Sequence, residues 1–102
     1  MFYKKQNADF ELQFAYYTES GNLIVLADLD LLTIEIKDSS GIVQKVFSKM
    51  DASENLDGIY INIDNDLDKD QYNVVVSLQI VDSNYADGFF NDVFISHKFV
   101  VR

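Results

Sequence analysis

Cysteine, proline and tryptophan are all missing from this chain of 102 residues; glycine occurs four times and histidine once. Without cysteine there is neither a disulfide framework nor a zinc–thiolate centre. A single histidine, His97, leaves general-base chemistry without a second imidazole to orient it. With no proline to guard sheet edges, charge must do so, and Lys37, Lys45, Lys49 and Lys98 are the expected guards. No apolar run approaches the roughly 18 residues that a membrane-crossing helix needs. Polar residues also interrupt "MFYKKQNADFELQF", so no secretory signal peptide is read there. Basic residues are scarce: eight Lys and Arg stand against seventeen Asp and Glu, a net charge of −9. Nucleic acid and anionic membrane surfaces both call for the opposite sign, so neither is an expected partner.

What is present is apolar and aromatic: 48% of the chain is hydrophobic, and 14% of the chain is Phe or Tyr. That suffices for one core, and the length allows one domain spanning residues 1–102, with a short arm at 1–8. Alternation with period two dominates. "DFELQFAYY" puts Phe10, Leu12, Phe14 and Tyr16 on one face. "LTIEIK" does the same with Leu32, Ile34 and Ile36, "IYINI" with Ile59, Ile61 and Ile63, and "QYNVVVSLQIV" with Tyr72, Val74, Val76, Leu78 and Ile80. "LIVL" reads as a short run buried on both faces, and "DSSG" as a hairpin turn into "IVQKVFSKM". "DASENLDG" reads as a loop, and "SKMDASENL" as the one stretch with room for a helical turn. "VFISHKFVV" closes the chain, its alternation grouping His97 with Val93, Ile95 and Phe99. About seven strands at short spacing predict an all-β antiparallel sandwich.

The stretch "NDLDKDQYNVVVSL" gathers carboxylates, and with the preceding Asp64 it places Asp64, Asp66 and Asp68 at alternate positions as in a calcium loop. An EF-hand loop also needs glycine at its sixth position and glutamate at its twelfth. Lys69 and Val75 stand there instead, so no metal and no cofactor are expected. The same residues read better as the corner that launches a strand. Asp68 four positions before Tyr72 resembles the tyrosine corner of immunoglobulin-like domains, in which the tyrosine hydroxyl bonds back to upstream backbone. Asp70 stands where such corners commonly carry a small residue.

With that corner in place, the series "DFELQF", "SGNLIVL", "LTIEIKDSSGIV", "DGIYINI" and "LDKDQYNVVVSLQ" resembles small immunoglobulin-like domains of tailed-phage virion proteins. Accessory capsid proteins and the N-terminal domains of upper baseplate proteins are of this kind. The resemblance implies a non-catalytic structural module, most simply an auxiliary (decoration) protein of a capsid. Other protein subunits would be its partners, and the virion, or the host cytoplasm before assembly, its location. A start at Met1 without a signal fits that expectation. A baseplate or tail adaptor, and a carbohydrate- or cell-surface-binding module, are the alternatives.

No catalytic constellation is expected. Ser39, Ser40 and Ser48 lack a nucleophile elbow, and Asp28 and Asp30 read as polar positions of a loop between strands. Partner contact is expected at two places. The loop "DSNYADGFFND" carries Tyr85, Phe89 and Phe90 at a sandwich tip, where aromatic rings make natural anchors. For Phe89 or Phe90 the other reading is a ring folded back as a plug of the core, the commoner fate of an aromatic side chain. The arm "MFYKKQN" adds Phe2, Tyr3, Lys4 and Lys5.

Overall fold

The computed structural model describes residues 2–102; Met1, the first residue of the expected arm, lies outside the described residues. Eight strands are present: β1 (Phe2–Lys4), β2 (Phe10–Phe14), β3 (Leu29–Lys37), β4 (Val43–Ser48), β5 (Ser53–Asn55), β6 (Gly58–Ile63), β7 (Asp70–Val81) and β8 (Phe89–Val101). Helical structure among the described residues is confined to two 3-10 turns, Leu26–Asp28 and Lys49–Asp51. The strands form two sheets, one in the order β1-β8-β7-β3-β4 and the other β2-β6-β5. The chain is therefore all-β. Its core is a single cluster filled from both sheets, with Leu12, Ile59, Ile61 and Ile63 of the smaller facing Leu32, Ile34, Ile36, Val74, Val76 and Phe99 of the larger. Those residues fall at alternate positions because only one side of each strand is shielded from water.

Two parts of the pattern differ from expectation in β8 and at the N-terminus. Val74 pairs with His97, but Val75 pairs with Ile95, so Ser96 has no partner and the strand bulges. A bulge adds one residue and flips the alternation beyond it. Phe94 therefore packs against the core, whereas Val93 and Ile95 are 65% and 51% exposed. His97 stays with Phe99 but parts from Val93 and Ile95.

Residues 2–4 do not form a free arm. They run parallel to Phe99–Val101 as the edge strand of the larger sheet. Phe2 stacks on Phe99 with ring centroids 5.7 Å apart. The Lys4 ammonium lies 5.3 Å above the Phe2 ring and 5.0 Å above that of Phe10. The Lys4 carbonyl accepts from Arg102 N–H, and the Asn65 side-chain amide donates to the Lys5 carbonyl at 2.9 Å. Chain start and chain end are thus tied to each other and to the acidic stretch.

"LIVL" is not a strand. The N–H groups of Val25 and Leu26 donate to the carboxylates of Asp28 and Glu54, at 3.1 and 2.9 Å, where a strand would use a neighbouring backbone. Residues 15–28 form a long connection with only Ile24 buried. Within the expected loop "DASENLDG", Ser53–Asn55 forms a short edge strand against β6. Asp30, expected in a loop, is an exposed position of β3.

At the entry to β7 the Tyr72 hydroxyl donates to the Asp68 carbonyl oxygen at 2.6 Å, and the ring is 3% exposed and stacked on Phe99. Tyr72→Phe keeps the ring and removes the donor, leaving that carbonyl unsatisfied. The expected loss is about 1–3 kcal/mol with the fold intact. Equal denaturation midpoints for variant and parent would show that this hydrogen bond contributes nothing to stability.

Candidate interaction site at the loop end

Three connections converge at one end of the molecule: residues 15–28 between β2 and β3, the tight turn 56–57 between β5 and β6, and the hairpin 82–88 between β7 and β8. Antiparallel pairing dictates this, since β2, β5 and β7 all run toward that end. The hairpin is held by its own carboxylates. Asp82 Oδ1 accepts from Asn84 N–H at 2.9 Å, Asp87 Oδ1 from Phe89 N–H at 3.0 Å, and Asp82 N–H donates to the Gly88 carbonyl at 2.8 Å.

Phe89 and Phe90 belong to the strand rather than the loop, paired with Val81 and Ile80. Both are half-buried, and Phe90 takes the same face as Ile80, whose side chain packs against the core. Its ring lies 5.5 Å from that of Tyr85, which remains 45% exposed at the hairpin tip. Opposite stand Tyr16 and Tyr17. Between the two segments opens a cleft of about 650 Å³, lined by the aromatic residues Tyr16, Tyr17, Tyr85 and Phe90 and by polar residues that include Glu19, Asp82 and Asn84.

Tyr16 is fixed in place. Its ring stacks on Phe94, 5.6 Å away, and its hydroxyl donates to Asp92 Oδ2 at 2.7 Å. Partial burial and the adjacent carboxylate push its pKa up to about 12. The folded state therefore keeps a proton that the unfolded chain, near the ordinary value of 10.0, gives up. This contribution is complete below about pH 10 and is lost as pH rises through about 12. Tyr72 shifts in the same direction, by burial first. Stability measured from pH 9 to 12, by our prediction, falls less steeply in Tyr16→Phe than in the parent. Parallel curves would remove Tyr16 from the titration.

Phe2, Tyr3, Lys4 and Lys5 lie beside Phe99–Val101, at the opposite end from Tyr85. The two sets expected to touch a partner are not brought together. Phe2 and Lys4 are spent on internal ring contacts, while Tyr3 is 57% exposed beneath the Arg102 guanidinium, 3.5 Å from its ring centroid. Tyr16 and Tyr17 join the site unannounced by the strand pattern; a pair of tyrosines leaving a strand just before a turn was the available signal. His97 is half-buried, bonded to Ser96 Oγ at 2.9 Å, and burial holds its pKa below the ordinary value against a hydrogen bond with the Gln13 backbone. Asp66, in the acidic stretch, is paired with Lys45 at 2.6 Å, which lowers its carboxyl pKa. Among the described residues no three His, Asp or Glu side chains gather as a cation site.

No family model matches the chain, and neither curated proteins nor solved structures give a match.

Charge is divided unevenly between the two ends. The row Thr33–Ser77–Val93 crosses the larger sheet at its middle. Toward the loops lie nine carboxylates: Glu19, Asp28, Asp30, Asp51 and Glu54, then Asp57, Asp82, Asp87 and Asp92. Lys49 is their one basic neighbour on that side, giving a net −8, and its ammonium is bound to the Leu29 carbonyl at 2.7 Å. The far side sets eight carboxylates against six lysines and Arg102, a net −1, so nearly the whole −9 sits at the loop end.

Proposed function

We propose that the protein is an immunoglobulin-like, non-catalytic interaction module that joins a larger assembly through its loop end. Several features support the immunoglobulin-like reading. The small sheet β2-β6-β5 corresponds to strands B, E and D of such domains, and β8-β7-β3-β4 to G, F, C and C′. β1 takes a position beside G, and the bond from Tyr72 to the Asp68 carbonyl sits at the entry to F, where these domains carry their tyrosine corner. The loops that meet around Tyr85 then correspond to B–C, D–E and F–G, the end with which such domains bind.

The observation that carries the proposal is the cleft itself. Tyr17 and Tyr85 keep 60% and 45% of their surface in water, the first beside a hydrogen-bonded turn and the second on a carboxylate-pinned hairpin. Large rings on an ordered frame anchor partners at little entropic cost. The assembly we propose is a tailed-phage particle, with the protein as an auxiliary capsid subunit; many copies on one shell let each contact be weak.

The test adds purified domain to particles that lack it and counts bound copies. Tyr85→Ala, which leaves the core untouched, is expected to cut occupancy severalfold relative to the parent. Full occupancy by Tyr85→Ala overturns the loop-end contact, and Tyr3→Ala in the same assay then examines the far end.

A further inference from the structure

We infer that the cleft receives a cationic side chain, lysine or arginine, presented by a protein partner. The inference rests on the proposal that the loop end is the docking surface, and it names the chemistry that surface selects. The cleft supplies two kinds of group that favour a cation. Tyr16, Tyr17, Tyr85 and Phe90 line it, and an aromatic ring attracts a positive group held over its face within about 6 Å of the centroid. Tyr17 and Tyr85, 60% and 45% exposed, are the rings open to such a group. Glu19 and Asp82 add negative charge, and the Glu19 carboxylate has no hydrogen-bond or ion-pair partner among the described residues.

No lysine or arginine lines the cleft. Among the described residues the one basic side chain on this side, Lys49, has its ammonium bound to a main-chain carbonyl. The protein thus leaves the positive partner of its own rings and carboxylates unsupplied. Around the cleft stands the −8 of the loop end, a field that draws basic surfaces in and turns anionic ones away. Phosphate, sulfate and uronic acids are excluded on that ground. A neutral saccharide would stack on the rings and donate hydroxyl hydrogen bonds to Glu19, but it would leave the negative charge around the cleft unneutralised, which a cationic side chain does not. The volume, about 650 Å³, accommodates a long side chain together with part of its backbone.

The test uses the whole chain in solution, its amide spectrum recorded by NMR while N-acetyl-lysine methylamide or N-acetyl-arginine methylamide is added. Saturable shifts confined to residues 16–20 and 82–90 are expected. N-acetyl-norleucine methylamide, which has the chain without the charge, should bind at least about fivefold more weakly. Raising salt to about 0.5 M should weaken the cationic probes and leave norleucine unchanged. Tyr85→Ala and, separately, the exposed Glu19→Gln should each lower affinity about threefold or more, whereas Leu31→Ser on the far face of β3 should not. Equal shifts with norleucine, or shifts with methyl glucoside but not with lysine, overturn the inference. So do shifts of the same amides on simple concentration of the protein, which would assign the cleft to a second copy. A null result with cationic probes, beside reduced particle occupancy for Tyr85→Ala, would remove the cation and keep the docking surface. Clear cation binding with unchanged occupancy would do the reverse.

Discussion

Phe99→Ala is expected to lower the stability of the domain by about 3–5 kcal/mol, the usual range for truncating a fully enclosed phenylalanine. Phe99 has no exposed surface and stands at the centre of a ring cluster. Tyr72 stacks on it at 5.3 Å and Phe2 at 5.7 Å, while Phe10 meets it edge-on at 5.2 Å. Those partners come from β7, β1 and β2, so one side chain joins both sheets to the N-terminal strand. Alanine leaves a void that they can close only by moving β1, which the Arg102 and Lys4 backbone bond resists. A domain of this size holds roughly 5–15 kcal/mol in all, so the loss would consume a large share of it. Urea denaturation measures it, with Val93→Ala as the control on the outer face of the same strand. That exposed position should change stability by no more than about 0.5 kcal/mol. A loss below about 1 kcal/mol for Phe99→Ala would mean that the ring cluster packs loosely.

The same residue marks how far periodicity carries. β6, β7 and the Leu32–Lys37 part of β3 were legible because each runs in one phase against the core, and the inward sets Leu32–Ile34–Ile36, Ile59–Ile61–Ile63 and Tyr72 to Leu78 are buried as alternation required. Only at Asp30, where β3 slips against β7, does its phase change. β8 was legible as a strand but not in phase. The unpaired Ser96 shifts the register, and nothing in "VFISHKFVV" announces a bulge, since from Val93 to Ile95 either phase places an apolar residue inward. β1 offers too few residues for a period to show, and its ties come from Phe99 and Arg102, with Asn65 holding the following Lys5, all distant in sequence. β5 is polar throughout and owes its strand geometry to β6 alone.

The candidate site divides along similar lines. Tyr85 was readable as an exposed ring in a hairpin, because asparagine, aspartate and glycine around it encode a turn locally. Phe89 and Phe90 were not readable as strand residues, since they follow Gly88 directly and only pairing with Val81 and Ile80 makes them so. The cleft is a product of topology. It places the exit of β2 against the hairpin after β7, and no local pattern relates Tyr17 to Tyr85. The charge division is of the same kind: composition gives −9, but only the strand order shows that the loop end carries almost all of it.

That dependence on backbone placement leads to the second large effect, Gly58→Ala. Gly58 opens β6 with φ +147°, a conformation that side-chain-bearing residues rarely adopt. Strain there costs on the order of 1–3 kcal/mol. A Cβ at this position would also collide with the Phe14 carbonyl oxygen and lie 3.3 Å from the Ala15 Cα. Both obstacles are main chain, so no rotamer change relieves them, and β2 must separate from β6 at the Phe14–Ile59 pair. The combined loss is expected to be at least about 3 kcal/mol, or upwards of about 12 °C in melting temperature for a chain of this length. Gly41→Ala is the matched comparison. Its φ is +81°, but nothing lies within 4 Å of the added carbon, so only conformational strain of about 1 kcal/mol is expected. Equal losses in the two variants would show that the contact with Phe14 yields easily. The larger loss should also reach the site, because Tyr16 and Tyr17 follow directly from the displaced Phe14–Ala15 backbone. At a temperature where Gly58→Ala is still folded, its affinity for the lysine probe should therefore fall below that of Gly41→Ala, although neither glycine lines the cleft.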